Sequence, residues 1–213
     1  MPLTKIDIGA ELSKGWKLFQ QNMGLLIIAA VIALLVSAVT CGILAGPLMA
    51  GFLLVVRRLL QNDPVKPQSG DVFKGFDYFV QALVLVVLAG VAGCVLGMIP
   101  VIGIVAGFVV NAFMMWSMLF VVFQKLTAID AIKKVFELAK TGDFTMPLVC
   151  ALIASLISGC GLIACGVGIF FTIPIGHCML VCCYETLFGG DGAAPEVIEA
   201  EAVPPSPPSD LRL

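Results

Sequence analysis

Charged residues are scarce in this chain of 213 residues. Asp, Glu, Lys and Arg make up 12% of the sequence and hydrophobic residues 60%, whereas soluble domains are about a quarter charged. The 12 Lys and Arg residues nearly balance the 14 Asp and Glu residues, and we expect no nucleic-acid partner. This composition excludes an ordinary soluble domain and predicts a chain that lies in a lipid bilayer.

Catalytic and charged-relay motifs are also missing. The sequence contains no P-loop, no HExxH and no GxSxG, which are common signatures of phosphate binding, zinc hydrolysis and serine nucleophiles. No Asp, Glu, Lys or Arg lies inside the long apolar runs, so the chain lacks the charged groups typical of pumps and ion-coupled transporters. We therefore predict that the protein is not an enzyme, has no catalytic residue and binds no cofactor.

Three long apolar runs cover about residues 23–56, 78–123 and 144–184. A helix needs about 20 residues to cross roughly 30 Å of hydrocarbon. Each run is broken near its middle by Gly, Pro or Cys, in TCGILAGP, LGMIPVIG and GCGLIACGVG. The pattern predicts an all-α integral membrane protein with six transmembrane helices in three hairpins. The first run leaves only about 15 or 16 residues per helix, so whether this hairpin fully crosses the bilayer stays open.

All twelve basic residues lie outside the apolar runs and their central turns. They are Lys5, Lys14, Lys17, Arg57, Arg58, Lys66, Lys74, Lys125, Lys133, Lys134, Lys140 and Arg212. By the positive-inside rule, both termini and both long connections face the cytoplasm. Residues 1–22 lack the short apolar core of a cleavable signal peptide. We expect a multi-pass protein of the inner (plasma) membrane.

A segment with a lysine and a following aromatic recurs every sixty residues. It is KGWKLF from Lys14, KGFDYF from Lys74 and KVFELA from Lys134. The aromatic two places after each lysine is Trp16, Phe76 and Phe136 in turn. This spacing predicts a threefold repeat in which a short amphipathic helix precedes each hairpin. The membrane domain then covers residues 1–188, with units at about 4–62, 69–125 and 127–188.

The short helices have an apolar stripe and a charged remainder. In the first, the stripe is formed by Ile8, Leu12, Trp16, Phe19 and Met23. Such helices lie in the plane of the membrane interface, with lysines among the lipid headgroups; packing on the cytoplasmic rim of the bundle is an equally compatible alternative. The residues expected at the headgroup level are Lys14, Trp16, Lys74, Lys133 and Lys134. Thr4 with Asp7 and Thr127 with Asp130 resemble capping boxes that start two of these helices.

The last 25 residues differ in composition from the rest of the chain. Residues 189–213 are acidic and rich in Pro, Gly and Ala, which predicts a disordered cytoplasmic tail. Its PPSPP segment is also compatible with a polyproline ligand for a protein partner, although a solvated tail is the simpler interpretation.

The only histidine lies in CGVGIFFTIPIGHCMLVCC, among four of the eight cysteines. On a helix Cys178 and Cys182 share a face while His177 and Cys183 point elsewhere, which is a poor arrangement for tetrahedral metal binding. We expect no metal site.

A polar intramembrane site is the better hypothesis for this region. It would consist of His177, Asn111 and Thr172, because polar residues inside a span are costly and often functional. Hydrogen bonds that hold helices together are the structural alternative for the same residues.

The sequence resembles a known group at both ends of the predicted domain. AIDAIKKVFELAKTGDFTMPLV and GVGIFFTIPIGHCMLVCCYETLFG are similar to the C-terminal unit of a widespread, uncharacterised family of bacterial multi-pass membrane proteins. KGWKLFQQN and GPLMAG resemble its N-terminal unit. Some members are loosely similar to the membrane domain attached to glycerophosphoryl diester phosphodiesterases. The resemblance, over about residues 4–188, implies a membrane fold. The phosphodiesterase activity does not carry over, since that domain is absent.

The leading functional hypothesis is a non-enzymatic scaffold or accessory subunit that binds membrane lipids or a protein partner. The inner-face helices and the tail would supply its binding surface. The alternative is a transporter or channel for an apolar or amphiphilic solute, with Asn111 and His177 along its path. An enzyme accessory or intramembrane catalyst is the third hypothesis.

Overall fold

A computed structural model describes residues 7–99, 102–142, 144–163 and 168–189. The predicted disordered tail falls outside these residues apart from Gly189, as do Thr4, Lys5 and Cys165. Within the described residues every assigned element is helical, in agreement with the all-α prediction. The elements are α1 (Ile8–Gln21), α2 (Met23–Val39), α3 (Ala45–Leu60), a 3-10 helix (Ser69–Tyr78), α4 (Phe79–Gly97), α5 (Ile102–Gln124), α6 (Ala128–Thr141), α7 (Thr145–Ile163) and α8 (Ile169–Phe188).

Long helices occur in consecutive pairs, α2–α3, α4–α5 and α7–α8, which pack against one another. The breaks between partners fall at the Gly-, Pro- and Cys-rich segments that the sequence indicated. Each pair follows a shorter helix: α1, the 3-10 helix and α6 in turn.

Over the described ranges, three helical segments are long and apolar enough to cross a membrane, and up to five if each bent helix pair is one span. The three are Ser69–Gly97, Ala106–Gln124 and Ile169–Phe188; the bent pairs are α1 with α2, at 89°, and α6 with α7, at 116°. α3 is not among them. Its 16 residues rise only about 24 Å, and it ends in two arginines. The six predicted spans therefore stay a prediction.

Polar residues cap two of the short helices. α1 begins after Asp7, whose carboxylate accepts hydrogen bonds from the backbone N–H groups of Gly9 and Ala10. The observed cap of α1 is therefore Asp7, whereas the predicted cap Thr4 lies outside the described residues. α6 begins after Thr127, the predicted cap. The Thr127 hydroxyl accepts a hydrogen bond from the N–H of Asp130 at 3.2 Å. Both caps satisfy N–H groups that a helix leaves unpaired at its start.

The second short helix is a 3-10 helix instead of the α-helix expected from the amphipathic pattern. It packs backbone to backbone on α3: a Cβ at Gly51 would overlap the Val72 carbonyl, and one at Gly75 would overlap the Pro47 carbonyl. The period of three places Phe73, Phe76 and the following Phe79 above one another, with ring centroids 6.2 and 6.1 Å apart.

The start of α3, just after its turn from α2, lies beside the start of α4. A Cβ at Gly46, near the start of α3, would lie 2.7 Å from the Ala82 oxygen. α4 continues for about four more turns beyond this contact. Only 11% of the 18-residue apolar stretch within Ser69–Gly97 is buried inside the protein. The corresponding fractions are 50% for Ala106–Gln124 and 56% for Ile169–Phe188. Large apolar side chains on the outer part of α4, such as Val91 and Val95, are exposed.

The best-packed part of the core lies where α3, α5 and α8 end. Trp116, Phe120 and Phe123 of α5 contact Tyr184 and Phe188 of α8 through tilted and edge-to-face ring pairs. The indole N–H of Trp116 donates a hydrogen bond of 2.7 Å to the Pro147 oxygen. We call this part of the bundle the charged end; it comprises the last turns of α3, α5 and α8, with Arg57, Arg58 and Glu185. The apolar end is the opposite part, toward the turns after α2, α4 and α7.

Candidate functional site

His177 lies in the middle of α8 and is 5% exposed. Its Nδ1 is 2.8 Å from the carbonyl oxygen of Ile173, one turn earlier. Because a carbonyl oxygen only accepts, Nδ1 carries the hydrogen and donates it. The imidazole also meets the Phe52 ring of α3 edge to face, at 5.8 Å and 88°. The side chain therefore serves helix packing in this structure.

The cysteines near His177 are part of the same core. Cys178, Cys182 and Cys183 are all at most 2% exposed. Among residues 7–99, 102–142, 144–163 and 168–189, no three His, Cys, Asp or Glu side chains are grouped so that they could hold a metal ion.

Asn111 and Thr172 bridge different helices. The Asn111 amide donates a hydrogen bond to the Ser155 hydroxyl at 2.9 Å, which joins α5 to α7. The Thr172 hydroxyl lies 3.1 Å from the Ser158 carbonyl oxygen, which joins α8 to α7. The described contacts connect neither residue to His177. The three candidates are thus placed at three separate helix contacts.

Three of the four predicted headgroup lysines are paired with acidic residues one helical turn away. Lys14 pairs with Glu11 at 2.7 Å, Lys74 with Asp71 at 3.0 Å and Lys133 with Asp130 at 3.8 Å. These lysine side chains remain 57%, 49% and 69% exposed, so they still face outward.

Lys134 differs from the other three lysines. Its ammonium donates a hydrogen bond of 2.6 Å to the Gln124 side-chain oxygen and lies 5.0 Å from the centre of the Phe120 ring. The side chain therefore helps to attach α6 to α5.

α1 packs on the bundle through a face that the predicted stripe only partly covers. Glu11, Gly15, Leu18 and Phe19 are its buried residues, whereas Trp16 of the stripe is 46% exposed. The reason is a close backbone approach: a Cβ at position 15 would lie 2.7 Å from the Met179 nitrogen of α8. Only glycine permits this contact, which turns Glu11 inward. The Glu11 carboxylate is 3% exposed, with one oxygen bound to Lys14.

An apolar groove lies beside this contact. It has a volume of about 460 Å³ and is lined by Gly9, Leu12, Ser13 and Trp16 of α1, Ile157 of α7 and Ile175 of α8. The groove is open to the outside, and its polar lining is small. The sequence indicated two of its residues, Leu12 and Trp16, as apolar and interfacial. The opposite wall could not be inferred, because it depends on how α1 folds back onto the last helix pair.

Two large apolar side chains of α6 also face outward. α6 packs on the bundle through Ala128, Ala131 and Val135, while Ile129 is 60% and Phe136 53% exposed. Phe76 of the 3-10 helix is 37% exposed. The aromatic residue of each predicted repeat segment is therefore accessible from outside the bundle.

An ion pair at the charged end was not predicted from the sequence. Arg57 Nε of α3 donates a hydrogen bond of 2.6 Å to Glu185 Oε1 of α8, and the guanidinium lies 4.5 Å from the centre of the Phe123 ring of α5. The two side chains are 13% and 20% exposed. The contact joins one helix from each of the three long pairs.

Comparison of the chain with protein-family models, with curated proteins and with solved structures finds no match.

Proposed function

We propose that this chain is a non-enzymatic, multi-pass protein of the inner membrane that binds lipid or a protein partner and acts as a scaffold or accessory subunit. The observation that carries the proposal is the exposure of Trp16, Phe76 and Phe136, each on a short helix and two residues after a lysine. Exposed aromatic and apolar side chains beside lysines suit the boundary between acyl chains and headgroups.

The proposed topology has six spans in three units of about sixty residues, with both termini and the short helices on the cytoplasmic side. The order of one short and two long helices, which occurs three times in the described chain, supports this topology. The distribution of basic residues supports the orientation. Membership of the bacterial multi-pass family that the sequence resembles belongs to the same proposal.

We favour this function over transport because the polar residues that would line a path already have partners. His177 is bonded to its own helix, and Asn111 and Thr172 are bonded to α7. A transport path through these residues would have to break those contacts. If His177→Leu and Asn111→Leu abolished uptake of an apolar solute, the transport alternative would replace our proposal.

Mass spectrometry of the protein extracted with its surrounding membrane tests the proposal directly. We expect one protein at constant ratio, or one lipid class enriched over the bulk membrane. The triple variant Trp16→Ser, Phe76→Ser, Phe136→Ser should lose this associated protein or lipid. The control variant Val95→Ser, Phe108→Ser changes apolar residues that are 58% and 40% exposed near the apolar end and should retain the associated protein or lipid.

Two results would contradict the proposed function. One is extraction with neither an associated protein nor an enriched lipid, and the other is equal loss in both variants. The orientation has a separate test. A reporter fused after residue 213 should be active only in the cytoplasm, and a periplasmic signal would require a different number of spans.

A further inference from the structure

We propose that the groove between α1 and the α7–α8 pair binds one acyl chain of an anionic membrane phospholipid, with the lipid phosphate beside Lys17. The inference rests on the proposed function and specifies the lipid class and its site.

The groove lining selects an apolar occupant. Leu12, Trp16, Ile157 and Ile175 supply its walls, and Ser13 brings the one hydroxyl among the lining side chains. Its volume of about 460 Å³ lies within the roughly 300–1,000 Å³ of ordinary ligand sites. A polar solute of that size would lose its hydrogen bonds to water without replacing them. A hydrocarbon chain has no such cost.

Exposed apolar side chains neighbour the groove residues on α7 and α8. Leu156, beside Ile157 on α7, is 57% exposed, and Phe171, one turn before Ile175 on α8, is 44% exposed. In the proposed bilayer, these residues face lipid. An acyl chain can therefore enter the groove sideways without passing through water.

The groove is held open by the packing of α1. The contact between Gly15 and Met179 fixes α1 against α8 at backbone distance, and α1 meets α2 at 89°. The binding site therefore exists before the lipid arrives, which lowers the ordering cost of binding.

The charges around the groove favour an anionic headgroup. Lys17 is exposed and follows Ser13 by one helical turn, so it lies on the same side of α1. The nearby acids are already occupied: Asp7 accepts the N–H groups at the helix start, and Glu11 is bonded to Lys14. Lys17 is therefore the basic group at this rim that complements a phosphate.

Tryptophan fluorescence can report on this groove alone. The chain has two tryptophans; Trp16 lines the groove, whereas Trp116 is fully buried. The protein is reconstituted in phosphatidylcholine nanodiscs that contain increasing fractions of phosphatidylglycerol with brominated acyl chains, which quench nearby tryptophan. The signal of Trp16→Phe is subtracted, which leaves the contribution of Trp16. We expect quenching that saturates at a low mole fraction of brominated phosphatidylglycerol. Saturation with brominated phosphatidylcholine should need a mole fraction about fivefold higher, since one lysine near the phosphate favours the anionic lipid by about that factor.

Two variants assign that signal to the groove. Ser13→Phe fills the groove from an exposed position and should remove the saturable quenching, whereas Gln21→Phe, exposed on a different side of α1 from Trp16, should retain it. Lys17→Ala should abolish the fivefold preference for phosphatidylglycerol, but the saturable quenching by an acyl chain in the groove should remain. Lys140→Ala, at an exposed position on α6, should leave both unchanged. Far-UV circular dichroism checks that each variant folds.

Quenching proportional to the mole fraction of either brominated lipid would overturn the inference, and so would saturable quenching that persists in Ser13→Phe. Saturable quenching that is equal for the two lipids would overturn the anionic preference. None of these results contradicts the broader proposed function, which the co-purification experiment tests independently.

Discussion

The charged end and the apolar end of this bundle are packed differently, although both are rich in apolar residues. At the charged end, Trp116, Leu119, Phe120 and Tyr184 are almost completely buried by protein. At the apolar end, side chains of the same kinds, such as Leu35 and Phe108, are exposed. Hydrophobicity alone therefore does not decide which residues form the core.

Close glycine contacts attach the short helices to the bundle. Gly15, Gly51 and Gly75 lie where a neighbouring backbone passes too close for a Cβ, and each brings a short helix against a long one. Gly90 and Gly93 of α4 have open space around them. In the proposed bilayer, lipid would cover the apolar end, because hydrocarbon gives helices little hydrophobic reason to associate.

Alanine substitution at matched glycines should give the largest contrast. Gly51→Ala would place a methyl group against the Val72 carbonyl and should destabilise the fold by about 3 kcal/mol, as overpacking of a tight core does. Gly93→Ala, with nothing within 4 Å, should stabilise α4 by about 0.5–1 kcal/mol, since alanine favours a helix over glycine. Unfolding in mixed micelles by titration with dodecyl sulfate, followed by circular dichroism, measures both. Equal effects would mean that α3 and α4 are packed alike at these two positions.

The ion pair between Arg57 and Glu185 should give the next effect. A double-mutant cycle with Arg57→Met and Glu185→Met should show a coupling free energy of about 2 kcal/mol, between the values for exposed and buried pairs. The same unfolding titration provides the measurement. The control is the pair Lys133–Asp130, whose side chains are 69% and 55% exposed at 3.8 Å and whose coupling should stay below about 0.5 kcal/mol. Similar coupling in the two cycles would remove any special role for the charged end.

Much of the helical architecture was predictable from local sequence. The Gly-, Pro- and Cys-rich breaks marked the turns between long helices, and Thr127 marked the start of α6. These features depend on residues close together in the chain. Six spans stay a prediction, because three helical segments are long and apolar enough to span and the two further candidates are pairs bent by 89° and 116°.

The contacts of the short helices were not predictable in the same way. The apolar stripe of α1 indicated that Trp16 and Leu12 would be interfacial, but Glu11, which is charged and lies outside that stripe, is buried. The cause is the approach of Gly15 to Met179, which is more than 160 residues away in sequence. The groove and the pair of Arg57 with Glu185 depend on the same kind of long-range contact.

Asn111 tests how much a polar contact contributes toward the apolar end. Its hydrogen bond to Ser155 joins α5 to α7 where apolar packing is sparse. Asn111→Leu should destabilise the protein by about 0.6 kcal/mol, the average for such bonds between membrane helices. Ser155→Ala should cost a similar amount, and the double variant should cost no more than either, in the same titration. Additive losses would show that the two side chains act separately.

The smallest effect concerns the loop after α3, where order depends on charge. Arg58 donates a hydrogen bond of 2.7 Å to Asp63, and the Val65 N–H donates one of 2.9 Å to the same carboxylate. These bonds, with that from Arg58 the stronger cause, hold the pKa of Asp63 below its usual 3.8. A carboxyl whose pKa is lower in the folded state contributes stability above its unfolded pKa and loses it as the pH falls through the folded value.

Hydrogen exchange at the Val65 amide should therefore detect the loss locally. Protection should be constant from pH 7 to about pH 5 and should fall below pH 3.8. Asp63→Asn, which cannot titrate, controls for the intrinsic pH dependence of exchange and should show no such step. The Gly93 amide, on the exposed stretch of α4, should also show no step, because α4 contains no Asp, Glu, Lys, Arg or His. A step at both amides would mean that acid acts on the whole bundle; a step at Val65 alone would show that ionic contacts order the charged end and have no part in ordering the apolar end.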